Sequence, residues 1–129
     1  MSEPNESSPE KDEDAQHPVP VVWRDALRIV VQRFVAGDFG LTTRVDGVAP
    51  VSSAAAEQMR RYVADYGATL VQLPDEAWKT SVSQWQGQYW DVLVDLWTKQ
   101  EGRSDLVLFC NVRENDAGYL ITLESIHVP

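Results

Sequence analysis

A chain of 129 residues with 43% apolar side chains is long enough for one domain with an ordinary core, and needs no covalent staple. Its net charge of −9 argues against a duplex nucleic-acid binder, which requires a basic stripe; a charged partner should instead be basic. A lone cysteine, Cys110, excludes an intramolecular disulfide and makes a reducing cytoplasm the expected compartment, with signal-free secretion left open. No apolar run is long enough to span a bilayer and no signal-peptide core follows Met1, so no membrane partner is expected.

The charge is unevenly placed. Residues 1–18 carry Glu3, Glu6, Glu10, Asp12, Glu13 and Asp14 against Lys11, so this stretch holds −5 and the rest of the chain −4. With almost nothing to bury, residues 1–20 are expected to be a disordered acidic tail, solubilising or serving as a docking arm. Pro18 and Pro20 stiffen its exit, and residues 21–129 form a single α+β domain.

Trp23, Ala26, Leu27, Val30, Val31, Phe34 and Val35 recur at helical spacing, with Arg24, Arg28, Gln32 and Arg33 on the wet side. Gly37 and Gly40 end this helix. Leu41–Val51 contains Gly47 and Pro50 and reads as loop, with a short edge strand at Thr42–Val45. Ser52 or Ser53 caps a second helix, Ala54–Tyr66, which turns Met59, Tyr62, Val63 and Tyr66 inward and stops at Gly67.

Beyond Gly67 the apolar period changes to that of strands. Thr69–Leu73 reads as a strand closed by Pro74, and Trp78–Gln86 as a weaker one diluted by Ser and Gln. Tyr89–Trp97 places Trp90, Val92, Val94 and Leu96 on one face; Asp105–Arg113 follows with Leu106, Leu108, Cys110 and Val112 in phase. Asn115-Asp116-Ala117-Gly118 is a turn by composition, after which Tyr119, Ile121 and Leu123 continue the apolar face. The order is that of an α+β fold, with two N-terminal helices on one face of a mostly antiparallel, curved sheet of four to five strands.

Two registers keep the apolar residues of the two long strands together. In one, Val94 faces Leu106 and Asp95 sits opposite Asp105 at about 5 Å, a repulsive pair unless a cation or shared proton intervenes. Glu101 and Arg103 in the connecting loop would then lie close by. In the other, which avoids the conflict and is preferred, Val94 faces Leu108 and Asp105 faces Trp97. A tight turn at 115–118 pairs Val112 with Ile121, Phe109 with Glu124 and Val107 with Ile126. The outer face then holds Leu93, Trp97, Val107, Phe109 and Ile126, rimmed by Asp91, Asp95, Asp105 and Glu124. An apolar centre with a polar rim is the anatomy of a protein interface, unless a segment such as Leu41–Val51 covers it.

Catalytic signatures are weak. Asp91 and Asp95 on one strand are about 13 Å apart, beyond the carboxylate spacing of glycoside hydrolysis. His17 and His127 support no triad, and Cys110 sits in the inner phase, where a thiol is inert packing. A Cys110–His127 pair is disfavoured, because the tight-turn register sets Cys110 opposite Leu123. One cysteine gives no zinc spacing and there is no glycine-rich phosphate loop, so no metal or cofactor is expected. Among five tryptophans, Trp23 and Trp90 are core by phase. Trp78, Trp85 and Trp97 are open, and Trp85 and Tyr89, flanking the turn Gln86-Gly87-Gln88, either line a pocket or cap the sheet.

At Asp95-Leu96-Trp97-Thr98, Glu101-Gly102-Arg103-Ser104-Asp105-Leu106 and Ile126-His127-Val128, the chain resembles a family of small uncharacterised bacterial domains. The resemblance extends over most of Trp23–Val128. It implies a bacterial origin and, since that family has no assigned activity, brings no catalytic residue with it.

The leading expectation is a non-enzymatic binding module, immunity- or antitoxin-like, that neutralises a basic toxin. Its contacts would be Asp91, Asp95, Trp97, Glu101, Arg103, Asp105, Phe109 and Glu124. The alternative is a cystatin-like domain, its helix wrapped by a curved sheet, with a small-molecule or catalytic pocket at Trp85 and Tyr89. A homodimer through the outer sheet faces is a third arrangement.

Overall fold

A computed structural model describes residues 8–129. Helix α1, Val21–Val35, turns Trp23, Leu27, Val30, Val31 and Phe34 inward. It stops where Gly37 takes a left-handed φ of 88° and donates its N–H to Phe34 O; Gly40 lies beyond the stop. The Asp38 carboxylate then accepts from the Thr42 N–H and hydroxyl at 3.1 Å, bending the chain where an edge strand at Thr42–Val45 was expected. No strand forms there. Leu41, Val45 and Val48 turn into the core instead.

Helix α2, Ser53–Tyr66, is capped by Ser52 Oγ, which accepts the Ala55 N–H at 3.1 Å, and ends on left-handed Gly67. Met59 and Val63 are buried, with Tyr62 and Tyr66 packed at the margin. The expected strand Thr69–Leu73 shrinks to one bridge, Leu70 to Thr98, flanked by Val71 N to Trp97 O and Lys99 N to Thr69 O.

The stretch Trp78–Gln86 is not one strand. Pro74-Asp75-Glu76 starts a turn whose carbonyls accept from Ala77, Trp78 and Lys79 N–H, giving the short helix α3, Ala77–Thr80. Trp78 is thereby carried inward, beneath the guanidinium groups of Arg24 and Arg28 at 5.5 and 5.4 Å. Only Val82–Trp85 remains as strand, β2.

The sheet is an antiparallel meander in chain order: β1 (His17–Pro18), β2, β3 (Trp90–Thr98), β4 (Gly102–Asn115) and β5 (Gly118–His127). The α+β class and the helix-on-one-face arrangement of the sequence reading are what the chain adopts. A third helix is added to it, and the sheet has the five strands at the upper end of the expected number. Val94 faces Leu108, the conflict-free register. Two bulges then shift the register. One lies between Asp95 and Trp97, so that Trp97 pairs with Arg103 and not Asp105. The other, at Glu124, sets Phe109 against Ser125 and Val107 against His127. Past it Ile126 points inward opposite Leu108, fully buried, instead of outward.

Residues 8–20 are not a loose tail, while residues 1–7 of the expected one lie outside the described residues. β1 pairs with β2, and the strap before it accepts from Trp90 Nε1 at Glu10 O (2.9 Å) and from Gln84 Nε2 at Glu13 O (2.8 Å). Lys11 bridges to Glu114 and sits over Trp85, and Asp12 bonds His17. Composition counts what side chains can bury. The strap is held by backbone carbonyls that a buried indole and an amide require.

The free edge of β5 is closed at two points. Ile121 exchanges hydrogen bonds with Gly47 O and Ala49 N at 2.8 Å. Near the other end the Gln58 side chain acts as a short strand, donating to Ile126 O (2.9 Å) and accepting from Ile126 N (3.2 Å). Replacing Gln58 by Ala should cost about 1 kcal/mol in urea unfolding, the net value of the lost pair. Gln58→Glu, which keeps an acceptor but loses the donor, should be no better than Ala. A wild-type midpoint in either variant would show that water replaces the clamp without cost.

Candidate functional site

Burial alternates strictly along β3, so its two faces have different fates. The inner one carries Trp90, Val92, Val94 and Leu96, each at most 1% exposed, beneath the helices. The outer one is half-exposed, and the end of α3 reaches it where Thr80 meets Asp95. Register writes it out as three rungs. Gln84, Asp91, Asn111 and Thr122 make the first; Val82, Leu93, Phe109 and Ser125 the second; Asp95, Val107 and His127 the third. The loop Leu41–Val51 runs along the β5 edge with its apolar side chains in the core, and so does not cover this face.

The face therefore has an apolar middle, Val82, Leu93, Phe109 and Val107, with carboxylates around it. Asp91 receives one hydrogen bond, from Asn111 Nδ2 at 3.1 Å. Partial burial lifts its carboxyl above the usual carboxylate range, with no nearby cation to offset this. Asp95 is held in place by the Thr80 hydroxyl, while its own N–H donates to Ser81 Oγ at 2.9 Å. Asp105 and Glu124 are exposed. The cation in this region, Arg103, forms no ion pair among the described residues.

Asp95, Arg103 and Asp105 share one open cleft of about 570 Å³, with Thr80, Ser104 and Val107 in its walls and Val128 and Pro129 at its end. Asp91 and Phe109 lie further along the same face. The structure separates the other expected contacts from these. Glu101 turns toward α2, where its Oε1 accepts from Tyr66 OH at 2.7 Å. Trp97 is half-buried against the core. Glu124 sits at the β5 bulge. In the 101–105 loop, Gly102 takes a φ of 72° as its turn requires, but Asp105 makes no loop-amide bond; Ser104 does that work.

Trp85 and Tyr89 do not converge on a pocket. Trp85 packs on Trp90 at 4.5 Å between ring centroids and under Lys11. Tyr89 lies beneath Arg113, an outward residue of β4, at 4.7 Å. Cys110 is fully buried opposite Leu123, and burial drives its thiol far above the range of a reactive cysteine.

Thr80, Ser81 and the Ser125–His127 pair escaped the sequence reading. Ser125 Oγ lies 3.1 Å from His127 Nδ1, and the Phe109 and His127 rings meet edge to face at 6.3 Å. No carboxylate holds the other ring nitrogen among the described residues, so the pair lacks the third group that fixes a catalytic tautomer. Thr80 had no signal, because its segment read as strand; the Ser125–His127 pair depends on a bulge the sequence does not mark.

A family model for a domain of unknown function, DUF7668, matches residues 31–129, and the chain belongs to that family. No curated protein and no solved structure matches it. No helix among the described residues is long and apolar enough to cross a membrane.

Asp91 yields a test of this electrostatic picture. Its folded pKa is raised, so its contribution to stability is intact below the unfolded carboxylate range and falls as pH rises through the folded value. Asp91→Asn keeps an acceptor for Asn111 and removes the desolvated charge. Thermal melts at neutral pH should show the variant more stable than the wild type, with the gap closing as pH falls into the carboxylate range. A variant that melts lower would mean that the charge has a stabilising partner.

Proposed function

We propose that this chain is a non-enzymatic, cytoplasmic protein-binding module whose outer sheet face takes a partner bearing basic side chains around an apolar centre. In its specific form the reading is an immunity- or antitoxin-like protein that neutralises a basic toxin. The observation that carries it is the half-exposed apolar middle, Val82, Leu93 and Phe109, with Asp91, Asp95 and Asp105 about it and Arg103 as the opposing charge. Burying that middle is the source of affinity, and the carboxylates supply steering and exclusion of acidic partners. Asp91 fits the scheme well, because a partner's Lys or Arg would supply the counter-charge it lacks.

The interior supports a surface site over a pocket. Trp23, Leu27, Val30 and Val31 of α1 and Trp90, Val92 and Val94 of β3 are at most 2% exposed, so the helix–sheet space is lined by packed side chains. A small-molecule site of the cystatin-like kind would open there.

Affinity capture from cells of the source organism tests the reading, with wild type compared against Asp91→Asn/Phe109→Ala and against Arg61→Ala on the exposed side of α2. A basic protein should be retained by wild type and by Arg61→Ala, lost with the double variant, and released as ionic strength rises. Equal capture by all three, or capture insensitive to salt, would remove the outer face from consideration.

A further inference from the structure

Four of the five large apolar side chains left exposed among the described residues lie on one helix: Val21 (46%), Val22 (56%), Ile29 (39%) and Val35 (43%), all on α1. Val22, Ile29 and the exposed Ala36 at the helix end are seven residues apart, so they form one stripe along the side of α1 that faces away from the sheet. Its flanks are Asp25 and Gln32 on one side and Arg33 and Ala26 on the other. An amphipathic helix with one face in its own core has no need of a second apolar stripe.

We propose that α1 is a self-association surface, joining two copies of this chain as an antiparallel helix pair crossed at Ile29. The charge pattern commits the stripe to a second copy. A two-fold axis at Ile29 exchanges position 25 with 33, 26 with 32 and 22 with 36. It brings Asp25 of one copy to the level of Arg33 of the other, with Gln32 of that copy directly across, and does so twice per dimer. The Asp25 carboxylate is 94% exposed and its Arg28 partner is on the same helix, leaving it free to share. The guanidinium of Arg33 meets a carbonyl, Thr43 O, and no carboxylate among the described residues. A parallel pair would instead bring like residues together, with Asp25 against Asp25.

The helix is about 22 Å long, so its stripe buries less than the roughly 800 Å² per partner of a standard interface, and association is weak and concentration-dependent. Because α1 packs on the inner side of the sheet, such a dimer leaves both outer faces open and pointing apart. The proposal is independent of what those faces bind.

Sedimentation velocity on the full chain from about 10 µM to about 1 mM, the range suited to an interface below standard size, tests it. Wild type should dimerise reversibly. Ile29→Glu, at an exposed position, should keep the wild-type melting temperature and weaken association at least about tenfold. Asp25→Arg should weaken it several-fold, and Asp25→Arg/Arg33→Glu should restore it. A wild type that stays monomeric throughout, or a dimer that Ile29→Glu leaves intact, overturns the proposal; failure of the double variant to recover overturns the antiparallel register.

Discussion

The Ser104 hydroxyl donates to Leu96 O at 2.7 Å and accepts from Leu106 N at 3.1 Å, and in doing so closes the bulge at which β4 gains residues over β3. Without those bonds, buried backbone groups on both strands would be unpaired. Parity is at stake as well as satisfaction. In a strand a slip of one residue exchanges the buried and exposed sets. This bulge spans an even number of extra positions, so Ser104, Leu106, Leu108, Cys110 and Val112 all remain inward. The Glu124 bulge adds a single residue and therefore does reverse parity, taking Ile126 in and sending Ser125 and His127 out. The pairing beyond Asp95 depends on the first irregularity, and the assignment of the end of β5 to core or outer face on the second.

That dependence explains what could be read from the chain alone. Where periodicity runs unbroken, as in Trp23–Phe34, Trp90–Leu96 and Leu106–Val112, the helix, the strands and the Val94–Leu108 register were legible, because hydrophobic pattern is itself the cause of the structure there. The turn ending at Gly118 was legible from its composition, and the Val112–Ile121 pairing followed from that turn. What was not legible is held by polar contacts between residues far apart in sequence. Asp38 capping Thr42, Glu10 O meeting Trp90 Nε1 and Gln58 clasping Ile126 leave no local signature. The candidate site divides in the same way. Asp91, Leu93, Asp95 and Phe109 were placed on the outer face by alternation, whereas Glu101 and Ile126 were misplaced where a tyrosine or a bulge intervened.

The N-terminal strap follows from a related accounting. The family match begins at residue 31, so the strap and most of α1 precede it. Yet Trp90, in the middle of an aromatic cluster with Trp23, Trp85 and Tyr119, has the strap as its hydrogen-bond partner. The indole nitrogens of Trp23 and Trp78 have no such acceptor among the described residues, although both are buried. An aromatic cluster packs by area and ring geometry, and its N–H groups must then find acceptors wherever the chain supplies them. Here the strap supplies one of the three. It is thus part of the fold of this chain, held on by donors in β2 and β3 more than by apolar burial of its own.

A sheet with helices on one side only must leave its other face to water or to a partner. Water is served by polar residues, and the first rung, Gln84, Asp91, Asn111 and Thr122, obeys that rule. The second rung does not: Val82, Leu93 and Phe109 gain nothing from solvent, and a Ser or Thr at those positions would hold the strands equally well. Asp91 departs from it in the opposite sense, as a carboxylate set where burial penalises its charge although a neutral amide would fit. The Asp91 charge acts against the stability of the isolated domain, and under the proposed function both departures become favourable against one kind of surface, apolar at its centre with a cation beside it. In the proposed reading, two local rules broken together at one place serve binding and not folding.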